Sequence, residues 1–558
     1  MAEDEGRTKV VGTNRLDKLH GKVDYTPGPA NAELLCLLSP ARLAQISICS
    51  LMEIYVRLVH TIRTLKEDPR WPGWELVVGI EVHAQIKSRA KLFSETFTAD
   101  LDEPPNSHVS PFDAAFPGTL PRLNSKCVEL GVRTAIALNA EVQRRSAFDR
   151  KHYFYADLPS GYQITQQYAP IARGGGLKLD RDDVFVRIKQ VQLEQDTGKS
   201  AFLPRNHLSA IDLNRAGTGL MEIVSEPDMR SPEEAADYVR TLQALLRCVG
   251  SSDGHMEQGS LRCDVNVSVN RAGSPPGTRC EIKNLNSVKF MMIAITCEAH
   301  RQIELLESGR SVPQETRGFD EDRAETYALR SKEDAPDYRY MPDPNLPPLL
   351  LDQEYITKIR NDMPELPDMT RARLLALDLS RRDTDVLMDV DSGREVGFDG
   401  ELGGGAVAYF DSVARGRDPK AVVNWITHEL LGQLAFRRET FKENPISVEQ
   451  MGNLIDLVQT GTITGTSGKT ILRHLLSNHS QDMPSKLAEQ LLLIAVRDDG
   501  SSLEKWCSEA ISALPEEAKI VRTGNVRVVN KIVGRVMKAS RGRANAEDVR
   551  AMLLKMLQ

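Results

Sequence analysis

Glu81, His83 and Gln85 occupy every second position of Gly79-Ile80-Glu81-Val82-His83-Ala84-Gln85-Ile86, with apolar residues between them. On a β-strand this spacing sends Ile80, Val82, Ala84 and Ile86 to one face and the acid, imidazole and amide to the other. A carboxylate and an imidazole two residues apart on a half-buried strand can converge on one cation. Alone, a Glu-x-His pair is the polar face of an edge strand, but further runs repeat the pattern. Val184, Val186 and Ile188 alternate into Gln190, Gln192 and Glu194, ending at Asp196-Thr197-Gly198-Lys199-Ser200. Leu220 to Pro227 puts Glu222 and Glu226 on one face. From Leu261 to Val269 the odd positions are apolar, opposed by Arg262, Asp264, Asn266, Ser268 and Asn270. Cys280-Glu281-Ile282-Lys283 pairs Glu281 with Lys283 on the polar side. A sheet with a packed back and such a front has the equipment of a metal–phosphate site. Hard oxygen ligands hold magnesium, and cations neutralise a phosphoryl group in transfer.

Two other segments carry charge in useful company. Phe148-Asp149-Arg150-Lys151-His152-Tyr153-Phe154-Tyr155 mixes ionisable and aromatic side chains. That mixture suits base stacking beside phosphate contacts, and equally the edge of an aromatic core. Near the C-terminus, Arg527, Lys531, Arg535, Lys538, Arg541 and Arg543 follow one another with no acid between them. Spacings of four, four and three align the first four along one side of a helix. This is either a solvated face or a phosphate-contacting patch. Gly465-Thr466-Ser467-Gly468-Lys469-Thr470 imitates the end of a P-loop, but Ile463 stands where its first glycine is required. The glycines between Gly400 and Gly405 lack a nucleotide fingerprint and read as a flexible turn.

The elements that must position these groups follow from composition and pattern. A chain of 558 residues exceeds one compact core, so roughly two to four domains are expected. Net charge of -7 excludes a globally basic nucleic-acid binder and leaves local patches for any such contact. The eight cysteines contain no Cys-x-x-Cys pair, which argues against a zinc ribbon and for free thiols. No apolar run is long enough to span a membrane. The expected fold is α+β: a strand-rich catalytic cradle over 74–355, a helical linker domain over 356–440 and a helical tail domain over 441–558. Within it, helices are expected from Ser231-Pro232 to Val249-Gly250 and from Val288 to about Leu306. Later helices are expected over Ala421–Phe436, Val448–Gln459, Leu472–Leu476 and Lys486–Val496, with one or two more from Asn525 to Gln558. Residues 1–73 read as an extension without an assigned fold, disordered in part.

The successive runs GIEVHAQI, FPGTLPRLN, FDRKHYFYADLPSGYQITQ, LEQDTGKS, DLNRAGTGLMEIVSEPD, EQGSLRCDVNVSV, EIKNLNS, QETRGFD and DYRYMPDPNLPPL resemble the signatures of one family. That family is the GatB family of glutamyl-tRNA(Gln) amidotransferase subunits, and the match runs in order from about Glu75 to Pro348. The resemblance implies ATP-dependent phosphorylation of the γ-carboxylate of misacylated Glu-tRNA(Gln), followed by amidation with ammonia. It implies ATP and Mg2+, with Glu81, His83, Glu194 and Glu222 as metal-holding catalytic residues. Arg262, Asp264, Glu281 and Lys283 would orient nucleotide or substrate, and Arg150, Lys151, Tyr153 and Tyr155 would cradle the tRNA 3′ end. Arg527, Lys531, Arg535 and Lys538 would grip the tRNA body. No Gly-Gly-Ser-Ser-Gly amidase signature occurs, so the glutaminase subunit of such complexes and a small bridging subunit are expected as partners. Many family members have His-Met-Glu-Glu-Asp where this chain has Gln192-Leu193-Glu194-Gln195-Asp196, which leaves open a non-catalytic, tRNA-binding scaffold as the alternative. The extension points to a mitochondrial matrix protein, although Met1-Ala2-Glu3-Asp4-Glu5 is unlike a transit peptide and a bacterial cytoplasm is the other possibility.

Overall fold

The alternating runs assemble into one 10-stranded sheet with β1 (Trp74–Gln85) near its middle. A computed structural model describes residues 68–557 apart from 101, 180–183, 205–206, 332–336, 496–500 and 541; most of the expected extension, and Arg541, lie outside them. The remaining strands of the sheet, in chain order, are β2 (Glu141–Val142), β3 (Ala172–Arg173), β4 (Gly176–Lys178), β5 (Phe185–Gln195) and β6 (Gly219–Ser225). Then come β7 (Leu261–Arg271), β8 (Cys280–Leu285), β9 (Glu315–Asp320) and β10 (Glu325–Ser331). The spatial order is β10-β9-β8-β7-β1-β6-β5-β3-β2, with β4 beside β5. Among the described residues only the β8–β9 pairing is parallel.

Register decides which side chains meet. His83 on β1 lies opposite Glu222 on β6 and Arg262 on β7, and Glu222 lies opposite Gln192 on β5. A slip of one residue would turn this polar row into the core. The back face is held by packing. Val78, Ile80 and Val82 of β1 and Cys263, Val265 and Val267 of β7 are fully buried against Tyr238, Val239 and Leu242 of α2 (Pro232–Cys248) and Ala294 and Ile295 of α3 (Val288–Glu307); α1 (Ser125–Ala137) precedes them in the chain. Ser231 starts α2 as expected, its side chain accepting from Glu234 N with Pro232 in the first turn. A small sheet of Asp149–His152, Tyr162–Thr165 and Met341–Pro342 lies at the front.

After residue 366 the chain is helical and builds two more cores, one between Leu374 and Leu493 and one between Cys507 and Leu557. The helix expected over Ala421–Phe436 runs from Pro419 to Arg437 through a π-helical segment, Trp425–Leu430. The one expected over Lys486–Val496 is shorter, Pro484–Gln490, because Leu492 turns to φ 52 and Ile494 bridges to Ile463. Gly465–Thr470 begins α5 (Gly465–Asn478), which follows α4 (Val448–Gln459), and Thr464 caps it. Gly468 is needed for packing, since a Cβ there would meet the Trp425 ring at 2.8 Å. Among the described residues no helix is long and apolar enough to cross a membrane.

The Gly400–Gly405 stretch differs from the flexible turn expected. Asp399 N donates to Lys87 O at 2.7 Å and Asp399 Oδ1 accepts from Arg89 N at 3.0 Å, which ties the turn to the exit of β1. Gly250 (φ 71) and Gly400 (φ 84) meet backbone to backbone, and a Cβ on Gly250 would lie 3.0 Å from Gly400. The glycines here permit close approach rather than motion. Gly250→Ala should therefore cost more than the about 1–2 kcal/mol of a left-handed alanine alone. Gly416→Ala, at φ 74 with open space around it, should cost no more than that. Thermal or denaturant unfolding of the two variants measures the difference, and equal losses would remove the packing argument.

Candidate divalent-cation site on the sheet front

Three predicted side chains from three strands converge. His83 of β1, Glu222 of β6 and Glu194 of β5 each offer one ligand atom, and these atoms all lie within 4.8 Å of one another. Glu194 is 2% exposed, and its Oε2 is buried with no hydrogen-bond partner among the described residues. An orphaned carboxylate oxygen is costly unless something else satisfies it. An imidazole with two carboxylates is a hard, oxygen-rich donor set that suits magnesium or manganese. The residues therefore fit a divalent cation.

The electrostatics agree. Burial, and then the neighbouring Glu194, push the Glu222 carboxyl up to about 7, with His83 and Lys151 opposing the rise. Burial alone would depress the Lys151 ammonium, but Glu194 and Glu222 reverse that and hold it above the usual lysine range. Its Nζ lies 3.9 Å from Glu194 Oε1. Lys151 thus turns into the carboxylate group, where an outward-facing cradle would not put it. Glu81 shares the face but stands outside the convergent trio, its Oε1 accepting from Asn266 Nδ2 at 3.1 Å.

The residues expected to orient nucleotide divide into two groups. Asp264, Glu281 and Lys283 form a line beside His83: Lys283 Nζ is 2.8 Å from Asp264 Oδ2 and 3.0 Å from Glu281 Oε1, and His83 Nε2 is 4.0 Å from Asp264 Oδ2. Burial opposes ionisation of Asp264, yet Lys283 and His83 hold its pKa below the usual value. Arg262 turns away to Asp196, 2.9 Å off, which also takes Gln85 Nε2 at 3.1 Å and lies 3.5 Å from Arg215. Asp196 and Arg215 both lie within the family-like runs, but nothing in their spacing marks them as partners of Arg262.

Of the expected cradle, Arg150 is committed to Asp343 at 2.7 Å and lies over the Tyr162 ring at 4.1 Å. Tyr153 donates from its hydroxyl to Gln163 Oε1 at 2.9 Å. It also begins a chain of tyrosine rings: Tyr155 and Tyr338 lie 5.7 and 6.0 Å from it, Tyr340 lies 5.9 Å from Tyr338, and Tyr168 lies 6.2 Å from Tyr340. Tyr155 and Tyr168 are exposed, which leaves aromatic surface beside the carboxylates. Tyr338 and Tyr340 come from the DYRYMPD run, whose alternation of tyrosines was the signal available for them. Gln195, whose carbonyl could in principle ligate a metal, instead accepts from Ile164 N through Oε1 at 3.3 Å.

The tail patch lies in the third core. Arg527 precedes α6 (Val529–Ala539) in a 3-10 turn, and Lys531, Arg535 and Lys538 ride on the helix. All four are exposed, opposite the buried stripe of Val529, Ile532 and Val536. Lys531 has an acidic neighbour, Glu517, at 3.7 Å.

Residues 76–357 match the GatB/GatE catalytic domain family, and residues 408–557 match the GatB domain family. The chain is 60% identical to the B-type subunit of the mitochondrial glutamyl-tRNA(Gln) amidotransferase of Laccaria bicolor, over 93% of this chain and 98% of the relative. It is 45% identical to the corresponding mitochondrial protein of Mycosarcoma maydis, over 87% of this chain and 86% of that one. The B-type subunit of an aspartyl/glutamyl-tRNA(Asn/Gln) amidotransferase from Sinorhizobium fredii is 44% identical over 86% of this chain and 94% of its own. Sheet, convergent donors and relatives agree: the chain belongs to the GatB family of tRNA-dependent amidotransferase subunits.

Proposed function

We propose that this chain is the subunit of a mitochondrial amidotransferase that activates and amidates the glutamyl group of Glu-tRNA(Gln), working in the matrix with a glutaminase subunit and a bridging subunit. The observation that carries this reading is the convergence of His83, Glu194 and Glu222 on one point, with Lys151 and a tyrosine surface beside it. Replacing a γ-carboxylate oxygen by nitrogen requires a leaving group. Transfer of the ATP γ-phosphoryl group to the carboxylate supplies one, and ammonia then displaces phosphate. Bound by His83, Glu194 and Glu222, with Glu81 nearby, a magnesium ion would spread phosphate charge during that transfer.

The remaining roles belong to the chain itself. Lys151 holds a fixed positive charge next to Glu194, and Lys283, anchored by Asp264 and Glu281, is a second cation available to phosphate oxygens. Arg262, clamped by Asp196, is held beside the group without joining it. Tyr153 and Tyr155 present stacking surface for a terminal adenosine, with Arg150 fixing the strand beneath them. The cradle over 74–355 is followed by a helical core between Leu374 and Leu493, which spans the expected boundary at 440/441. The core between Cys507 and Leu557, with Arg527, Lys531, Arg535 and Lys538 on it, is the tRNA-gripping tail. A non-catalytic scaffold is the weaker reading. Two buried carboxylates brought together cost stability, and a scaffold has no use for them.

In the assembled complex, His83→Ala or Glu194→Gln should lower amidation of Glu-tRNA(Gln) by about a hundredfold or more while glutamine hydrolysis continues. Quantifying Gln-tRNA and glutamate release side by side tests this, and normal amidation by either variant would refute the assignment.

Protons and a cation compete at Glu222. Its pKa is raised to about 7, so its stabilising effect on the cation-free fold is fully present below the ordinary carboxylate value and is lost as pH rises through 7. Cation affinity moves the other way. Mn2+ binding to the complex should tighten from pH 6 to pH 8, and Glu222→Gln should flatten that dependence. A parent profile without any rise over this range would contradict the pKa.

Exchanging Arg527, Lys531, Arg535 and Lys538 together for glutamine should flatten the salt dependence of tRNA binding by roughly one log–log unit for each phosphate no longer neutralised. Single-turnover amidation at saturating tRNA should stay near normal. An unaltered slope would make the patch a solvated face.

A further inference from the structure

Each carboxylate of the convergent group is held through one oxygen by a neutral amide. Gln163, 5% exposed on the small front sheet, donates from Nε2 to Glu194 Oε1 at 2.5 Å and to Gln195 O at 2.6 Å. Both partners are pure acceptors, so the nitrogen end of the amide must face them. The oxygen end then faces Tyr153, whose hydroxyl donates to it. Gln192 repeats the arrangement from β5. It donates from Nε2 to Glu222 Oε2 at 2.6 Å and to Thr165 Oγ1 at 3.2 Å, while its Oε1 accepts from Gln190 Nε2 at 2.5 Å. Two relays result, Tyr153–Gln163–Glu194 and Gln190–Gln192–Glu222. Each occupies one carboxylate oxygen and leaves the other, and at Glu194 the oxygen left over is the buried Oε2 without a partner.

Building on the metal-site reading above, we propose that Gln163 and Gln192 are positioning residues that select Glu194 Oε2 and Glu222 Oε1 as the cation-facing oxygens without neutralising either carboxylate. The chemistry of the donor matters. An ammonium or guanidinium in the same place would cancel charge that the cation needs, whereas an amide contributes only a dipole. An amide also donates at every pH, so Gln192 keeps Glu222 oriented irrespective of its own protonation. The glutamine at 192 thereby becomes a working substitution and not a sign of decay.

The test is direct Mn2+ binding to the assembled complex, measured as free Mn2+ by electron paramagnetic resonance, with circular dichroism as a folding control. Gln163→Met and Gln192→Met keep volume and remove the donor. Each should weaken Mn2+ binding by about tenfold. In a Glu194→Gln background, Gln163→Met should add little, because its effect passes through Glu194. Gln192→His restores a donor and should recover most of the affinity that Gln192→Met removes. If Glu194→Gln and Glu222→Gln weaken binding but both methionine variants bind like the parent, or if the losses simply add, the positioning role is overturned while the metal site stands. If the two glutamate variants bind Mn2+ like the parent, the metal site itself falls and the positioning role falls with it. Should Gln163→Met misfold, the Gln192 pair decides the matter alone.

Discussion

Everything at the sheet front depends on the repulsion between two carboxylates that the register forces together. Glu194 and Glu222 come from neighbouring antiparallel strands, and burial strips them of most of the water that would screen their charges. The fold answers with groups of graded strength. Lys151 supplies one full positive charge near Glu194, His83 an imidazole, and Gln163 and Gln192 supply hydrogen bonds that carry no charge. The compensation is incomplete. Glu222 retains a pKa near 7, and Glu194 keeps a buried oxygen unsatisfied. Such a site is unstable toward protonation and favourable toward a divalent cation, which is the condition a metal-dependent phosphoryl transfer needs.

The surroundings keep this deficit from being relieved by the wrong partner. Lys283 is pinned by Asp264 and Glu281, and Arg262 by Asp196, so neither can collapse onto the two glutamates. Beneath them the packed face of β1 and β7 on α2 and α3 fixes the strand positions, and the Asp399 turn anchors the exit of β1. Rigidity on the back is what allows an uncompensated front. The helical cores follow as separate bodies of packing, with the exposed basic row of α6 away from the carboxylates in sequence and in core.

Much of this was legible from alternation alone. The polar residues of β1, β6 and β7 fall on the face that period two assigns to them, and α2 begins where Ser231-Pro232 indicates. On β5 a register shift opposite Val224 and Ser225 parts the buried Val186 and Ile188 from Gln192 and Glu194, which strict alternation would put on one face. What periodicity cannot give is which residues of different strands lie side by side. His83 meets Glu222 because of a register set by long-range pairing, and Glu81, equally eligible by pattern, falls outside the trio. Lys151, expected in the cradle for the tRNA 3′ end, is turned toward the carboxylates, since its surroundings come from β5 and β6, far away in sequence. Gln163 lies in a family-like run, but its bond to Glu194 was hidden for the same reason. A glutamine has no chemical signature until the acceptors around it are known. The glycines at 400–405 showed the converse error, in which a composition typical of flexible turns serves a tight backbone contact.

One claim supports the rest, that the sheet front holds a divalent cation on His83, Glu194 and Glu222. Anomalous diffraction from crystals of the assembled complex grown with Mn2+ tests it most directly. The expected result is a single strong peak at about 2.0–2.3 Å from a ring nitrogen of His83 and one oxygen each of Glu194 and Glu222. A peak seated instead on Asp196 or Asp264, or no peak at saturating Mn2+, would contradict it.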